Sequence, residues 1–224
     1  ISKIIGTKRH TILLYNNLGD TARHRLMDEQ ALANYKRALK LAKDIKSPEG
    51  VIYANVSMSE FYRDKGQIKN GKRHLISAQR IATKINLKYY TLLCMMEELN
   101  YLLLAQDTKK LMSLSKKLRA QSKSVHNLNY KIYGLIYRGR VMVKVKNYAK
   151  AHYYYNKAYN FVKSLPKNRY AGEIFYFKGI AYKREQKLKD ALRMFVQASR
   201  IFESIGNLRF LDKIEEEITK TYVA

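Results

Sequence analysis

Apolar side chains recur along this chain at spacings of three and four, the period that lays one hydrophobic stripe along a helix. The stripes predict helices near 11–25, 28–46, 50–65, 68–86, 89–105, 108–124, 129–146, 148–164, 171–185, 188–205 and 208–222. A longer period runs above the helical one. Gly139 is followed by Ala151, Tyr155 and Ala158, and 40 residues later the same spacing returns as Gly179, Ala191, Phe195 and Ala198. Stepping the other way gives Gly19, Ala31, Tyr35 and Ala38, then Ser59, Gly71, Leu75 and Ala78, then Leu99, Leu111, Ser115 and Leu118. Each second helix closes on an apolar residue: Ile45, Ile85, Val125, Leu165 and Ile205. Repetition at such a period marks stacked units, each of which leaves an apolar face for its neighbour to cover. The small residues predict close approach of two helices, with the aromatic filling the space beside them.

These residues resemble the tetratricopeptide repeat family in its long form of about 40 residues, over roughly 11–205. Repeats one, four and five carry the helix B pattern most fully, and repeat three departs most. The resemblance implies an all-α fold: five antiparallel helix pairs in a right-handed superhelix, or solenoid, with a C-terminal capping helix. The expected repeats are 12–47, 52–87, 92–127, 132–167 and 172–207, followed by a cap at 208–222, within a single domain of 1–224. Ser47 before Pro48 reads as a helix start, and Asp107, Asn147 and Asn168 fit caps or turns.

Composition narrows the function classes. Apolar residues make up 46% of the chain, enough to bury a core, and only two prolines, Pro48 and Pro166, interrupt it. The single cysteine, Cys94, excludes a disulfide framework and reads as a small buried thiol. No apolar run reaches the roughly 20 residues that span a bilayer, and no secretory leader is visible. A cytoplasmic placement is the expectation. The chain opens on Ile1 rather than Met and reads as a piece of a longer protein.

Motifs for chemistry are weak. Gly66 to Arg73 nearly spells a phosphate-binding loop, but Arg73 replaces the hydroxyl residue and no strand precedes it. The histidines, His10, His24, His74, His126 and His152, form no metal-ligand spacing, and no nucleophile and base are paired. The expectation is a protein without cofactor, metal or catalysis.

Charge is the pointer to function. The net charge is +26, and 108–172 holds 16 Lys or Arg with nine tyrosines and no acid. Such an excess favours anionic partners through long-range attraction. The resemblance implies an extended partner along the first helix of each pair, at Asn16 and Arg23, Arg63, Asn100, then Tyr133, Arg140 and Lys144, and finally Tyr176, Lys183 and Arg184. Arg140 and Lys144 share a helix face. Asn16 and Asp20 stand where the family's clamp for chaperone tails wants Lys and Asn, which argues against that ligand. The expected partner is therefore an acidic or carboxylate-bearing peptide. Long repeats of this kind resemble the sensing parts of bacterial regulators. RNA or DNA binding through the basic, Tyr-rich repeats three to five is the alternative.

Overall fold

A computed structural model describes residues 2–105, 107–165 and 168–222, the side chains of 2–6 excepted. Pro166 lies outside the described residues. Eleven helices follow one another among the described residues: α1 (Ser2–His24), α2 (Asp28–Asp44), α3 (Pro48–Asp64), α4 (Ile68–Ile85), α5 (Lys88–Leu104), α6 (Thr108–Ser124), α7 (Leu128–Lys144), α8 (Tyr148–Tyr159), α9 (Arg169–Arg184), α10 (Leu188–Ser204) and α11 (Leu208–Tyr222). Successive helices pack in adjacent pairs, and no strand occurs among the described residues. The all-α helical-repeat architecture read from the sequence is the one observed. The chain divides into two compact units, Ile1–Tyr101 and Leu102–Ala224, with the boundary inside α5.

Helix starts follow their capping chemistry. Ser47 accepts a hydrogen bond from the Gly50 amide with Pro48 in the first turn. Asp107, Asn147 and Asn168 accept from the amides of Lys110, Lys150 and Ala171. All four turn or cap candidates are caps, each satisfying an amide that the first turn leaves unpaired.

Helix ends were less legible. Leu26, Lys46, Gly66, Asn86, Lys146, Gln186 and Gly206 all have positive φ, between 50° and 72°. They fall on one 20-residue ladder, half the sequence period. At Lys146 the chain makes a paired closure: its amide reaches the Val143 carbonyl and the Asn147 amide reaches the Met142 carbonyl. The same bonds recur after Leu26, Lys46, Gly66, Gln186 and Gly206. This is the Schellman ending, in which one left-handed residue reverses the chain and occupies the orphan carbonyls.

Two helix boundaries differ from expectation. The first helix begins at Ser2 rather than near 11, and α8 stops at Tyr159 rather than near 164. After Tyr159 the amides of Phe161, Val162 and Leu165 bond three residues back, which tightens the chain and tucks Val162 inside. The Asn168 side chain then collects the Val162 and Leu165 carbonyls.

The small-residue pattern has its expected meaning. A methyl group added to Gly19, Gly139 or Gly179 would overlap the ring of Tyr35, Tyr155 or Phe195, respectively. Those rings are no more than 1% exposed. Repeat two uses another arrangement: Tyr101 from α5 fills the space over Gly71 and donates to the Ser59 carbonyl at 3.1 Å. Repeat three has no such lock, and Ser115 stands buried at the aromatic position.

Cys94 is buried, and loss of solvent, reinforced by Glu98, pushes its thiol up to about 12. The thiolate is the reactive form. Native protein at neutral pH should therefore alkylate on the order of 1,000-fold more slowly than denatured protein. Timed iodoacetamide labelling with and without urea checks this, and equal rates would contradict the burial.

Candidate functional site

The sequence pattern places cations on the first helix of each pair in both units, and the two units use them differently. In unit 1 they are consumed. Arg23 reaches the carboxylates of Asp64 and Glu60 at 2.8 and 2.6 Å. Arg63 bonds Asp64 and Glu97, both at 2.9 Å. Asn100 donates to the other Glu97 oxygen at 2.9 Å. Burial pushes the Glu97 carboxyl up, Arg63 opposes that shift and Glu60 adds to it. Asn16 is buried, and its amide donates to the Ile12 carbonyl within the same helix. Arg23, Arg63 and Asn100 thus sit inside an internal ion-pair network, which ties α1, α3 and α5 together, while Asn16 is turned back onto its own helix.

Unit 2 has the same register with one acid, Glu217, in place of three. Here α7, α9 and α11 line an open cleft of about 900 Å³. Arg140 and Lys144 come from α7, Tyr176, Lys183 and Arg184 from α9, and Glu217 and Lys220 from α11. With Lys146 in the turn before α8, six cationic side chains and one carboxylate line this space. Tyr148, Tyr155, Phe177 and Ile180 supply ring and aliphatic surface between the charges.

Arg140 is positioned by aromatic contact. Its guanidinium carbon lies 4.9 Å from the Tyr137 ring centre and 4.5 Å from that of Phe177. A guanidinium against ring faces keeps its planar fork and loses little freedom when it binds a carboxylate. Tyr176 packs edge-on against Phe210 with ring centres 5.6 Å apart. Burial pushes its hydroxyl up to about 12, with Glu217 adding to the shift. Lys183 donates to the Glu217 carboxylate at 3.0 Å and to its backbone carbonyl at 3.2 Å. That pair repeats the Arg63–Glu97 step of unit 1, three repeats further along.

The structure therefore gathers Arg140, Lys144, Tyr176, Lys183 and Arg184 around one cleft. Tyr133 is not among the residues that line it: its ring packs edge-on to Tyr170, with centres 5.2 Å apart. Sequence reading missed Lys146, Tyr148, Phe177, Glu217 and Lys220. The step of 34 residues from Lys183 to Glu217, matching Arg63 to Glu97, is the signal that could have found the carboxylate. Unit 1 has a smaller hollow of about 280 Å³ whose lining includes Arg9 and Glu49, one charge of each sign. Among the described residues no cluster of His, Cys, Asp and Glu could hold a metal ion, and no helix is long and apolar enough to cross a membrane.

The class defined by this geometry is an all-α helical-repeat protein. Among solved structures, the chain is similar to a signal-transduction ATPase with numerous domains (a STAND protein) that carries a tetratricopeptide repeat sensor, from Pyrococcus horikoshii. The TM-score is 0.60 at 16% identity, over 96% of this chain and 34% of that one. The chain thus spans about a third of that protein's length, and at this identity the likeness concerns the fold. No protein-family model matches the chain, and no curated protein does.

Proposed function

We propose that this chain is a non-catalytic interaction module whose unit 2 cleft holds an extended acidic or carboxylate-bearing segment of a partner protein. The observation that carries this reading is the lining of six cations and one carboxylate around ring-walled space of about 900 Å³. Carboxylates would take charge-assisted hydrogen bonds from Arg140, Lys144 and Arg184, while intervening apolar side chains would lie on Phe177 and Ile180. The tetratricopeptide repeat sensor in the similar STAND protein supports a sensing role as part of a larger regulator.

Glu217 acts here as an internal competitor, since it already occupies Lys183. Both side chains are partly exposed, so the pair is worth at most about 1 kcal/mol. Glu217→Gln should therefore tighten binding of an acidic peptide by up to about fivefold. The probe is a labelled peptide alternating Glu with Leu, followed by fluorescence anisotropy, beside its Lys-for-Glu counterpart. Preference for the acidic peptide, weakened by salt, is the expected result. Equal binding of the two peptides would sink the proposal.

A further inference from the structure

A second cationic surface lies away from the cleft, on the outer helices of unit 2. It centres on Arg138, which rises from α7 between α6 and α8. Arg138 is only 9% exposed, yet no carboxylate pairs with it among the described residues. Its Nη1 donates to the Ser115 hydroxyl at 2.8 Å and to the Met112 sulfur at 3.7 Å, both on α6. Its guanidinium carbon lies 5.9 Å from the Tyr154 ring centre on α8. A buried charge with only neutral neighbours is costly. Both hydrogen bonds use one nitrogen of a group with five N–H donors, so the seam retains donors for an anion.

The flanking helices and the turn after α8 supply the rest. Lys110, Lys117 and Lys123 recur 40 residues later as Lys150, Lys157 and Lys163. All six are exposed. The next repeat puts Asp190, Gln197 and Glu203 at those positions, so solvation of this face does not demand lysine. On α8 Tyr153 is 57% exposed, with the Lys157 ammonium 5.6 Å from its ring centre and Tyr154 edge-on at 5.3 Å. Two cations, Arg138 and Lys157, flank the adjoining rings of Tyr154 and Tyr153 across the seam.

We propose that the seam between α6 and α8 binds single-stranded nucleic acid, with Arg138 and the flanking lysines on phosphates and Tyr153 stacked on a base. An exposed ring needs an unpaired base face, which a duplex does not offer. The surface is separate from the cleft, and the inference stands whether or not the cleft takes a peptide.

The test is anisotropy of labelled oligo(U) and oligo(dT) with the whole chain. Four neutralised phosphates would make binding about 50-fold weaker between about 50 and 200 mM salt. Lys117→Glu with Lys157→Glu should weaken binding at least about tenfold, and Tyr153→Ala about fivefold with the salt slope kept. These side chains are exposed, so the variants should keep the wild-type melting temperature. Arg140→Glu in the cleft should leave oligonucleotide binding unchanged. Four results would each overturn the proposal: no salt-dependent binding, no effect of the seam variants, equal affinity for a duplex of the same length, or full displacement by phosphatidylserine vesicles.

Discussion

Tyr155→Ala should cost unit 2 about 3–5 kcal/mol, the range for truncating a fully buried aromatic ring. The ring is 1% exposed and lies where any side chain on Gly139 would stand. Removing it leaves a void between α7 and α8 that rigid helix backbones on both sides cannot fill by collapse. The expected result is a large fall in the urea midpoint, with helical circular dichroism lost over residues of unit 2. Tyr155→Phe should stay within about 1 kcal/mol, because Phe195 fills the equivalent place against Gly179. A loss from the alanine variant of only about 1 kcal/mol would mean that the ring and glycine do not lock the pair.

Reversing two charges in the cleft, Arg140→Glu with Lys144→Glu, should weaken an acidic peptide on the order of 100-fold or more. Each lost charge-assisted bond is worth about 1.5–3 kcal/mol, before repulsion from the new carboxylates is counted. Lys144 is exposed, and Arg140 is half-buried at the cleft wall against Tyr137 and Phe177, outside the locked core, so folding should survive. Anisotropy with the Glu–Leu peptide reads the affinity, and a melting curve confirms the fold. Unchanged affinity would remove the cleft from the account. Replacing Arg23 in unit 1 should act on stability instead, because it takes the cation from Glu60 and leaves Arg63 to hold Asp64 as well as Glu97.

The contrast between those two experiments shows where sequence reading stops. Arg23, Arg63 and Lys183 occupy one register of the 40-residue period and look alike along the chain. Their fates differ because of acids on the neighbouring first helices. Glu60, Asp64 and Glu97 neutralise the first two, and Glu217 alone meets the third. Tyr133 fails for a similar reason. Its position along the helix suits a groove anchor, but Tyr170 lies against its ring and the cleft is lined by others. Arg138 had no signal at all, since its meaning comes from Ser115 and Tyr154 on two other helices.

Local chemistry was readable where one segment carried it. Ser47, Asp107, Asn147 and Asn168 mark helix starts because a cap bonds amides two or three residues away. The endings at Leu26, Lys46, Lys146 and Gln186 were not readable, because no glycine announces the left-handed residue there. The early stop of α8 was hidden for the same reason: apolar periodicity continues through Val162 after the helix has ended.

The sequence by itself determined the helices, their 40-residue period, the glycine and ring that lock the pairs of repeats one, four and five, and a charge of +26. All of these rest on neighbours along one helix or across one tight turn. Only the tertiary structure decided which cations are spent and which line a cleft. That depends on whether a carboxylate from a helix some 34 to 41 residues away arrives opposite each one.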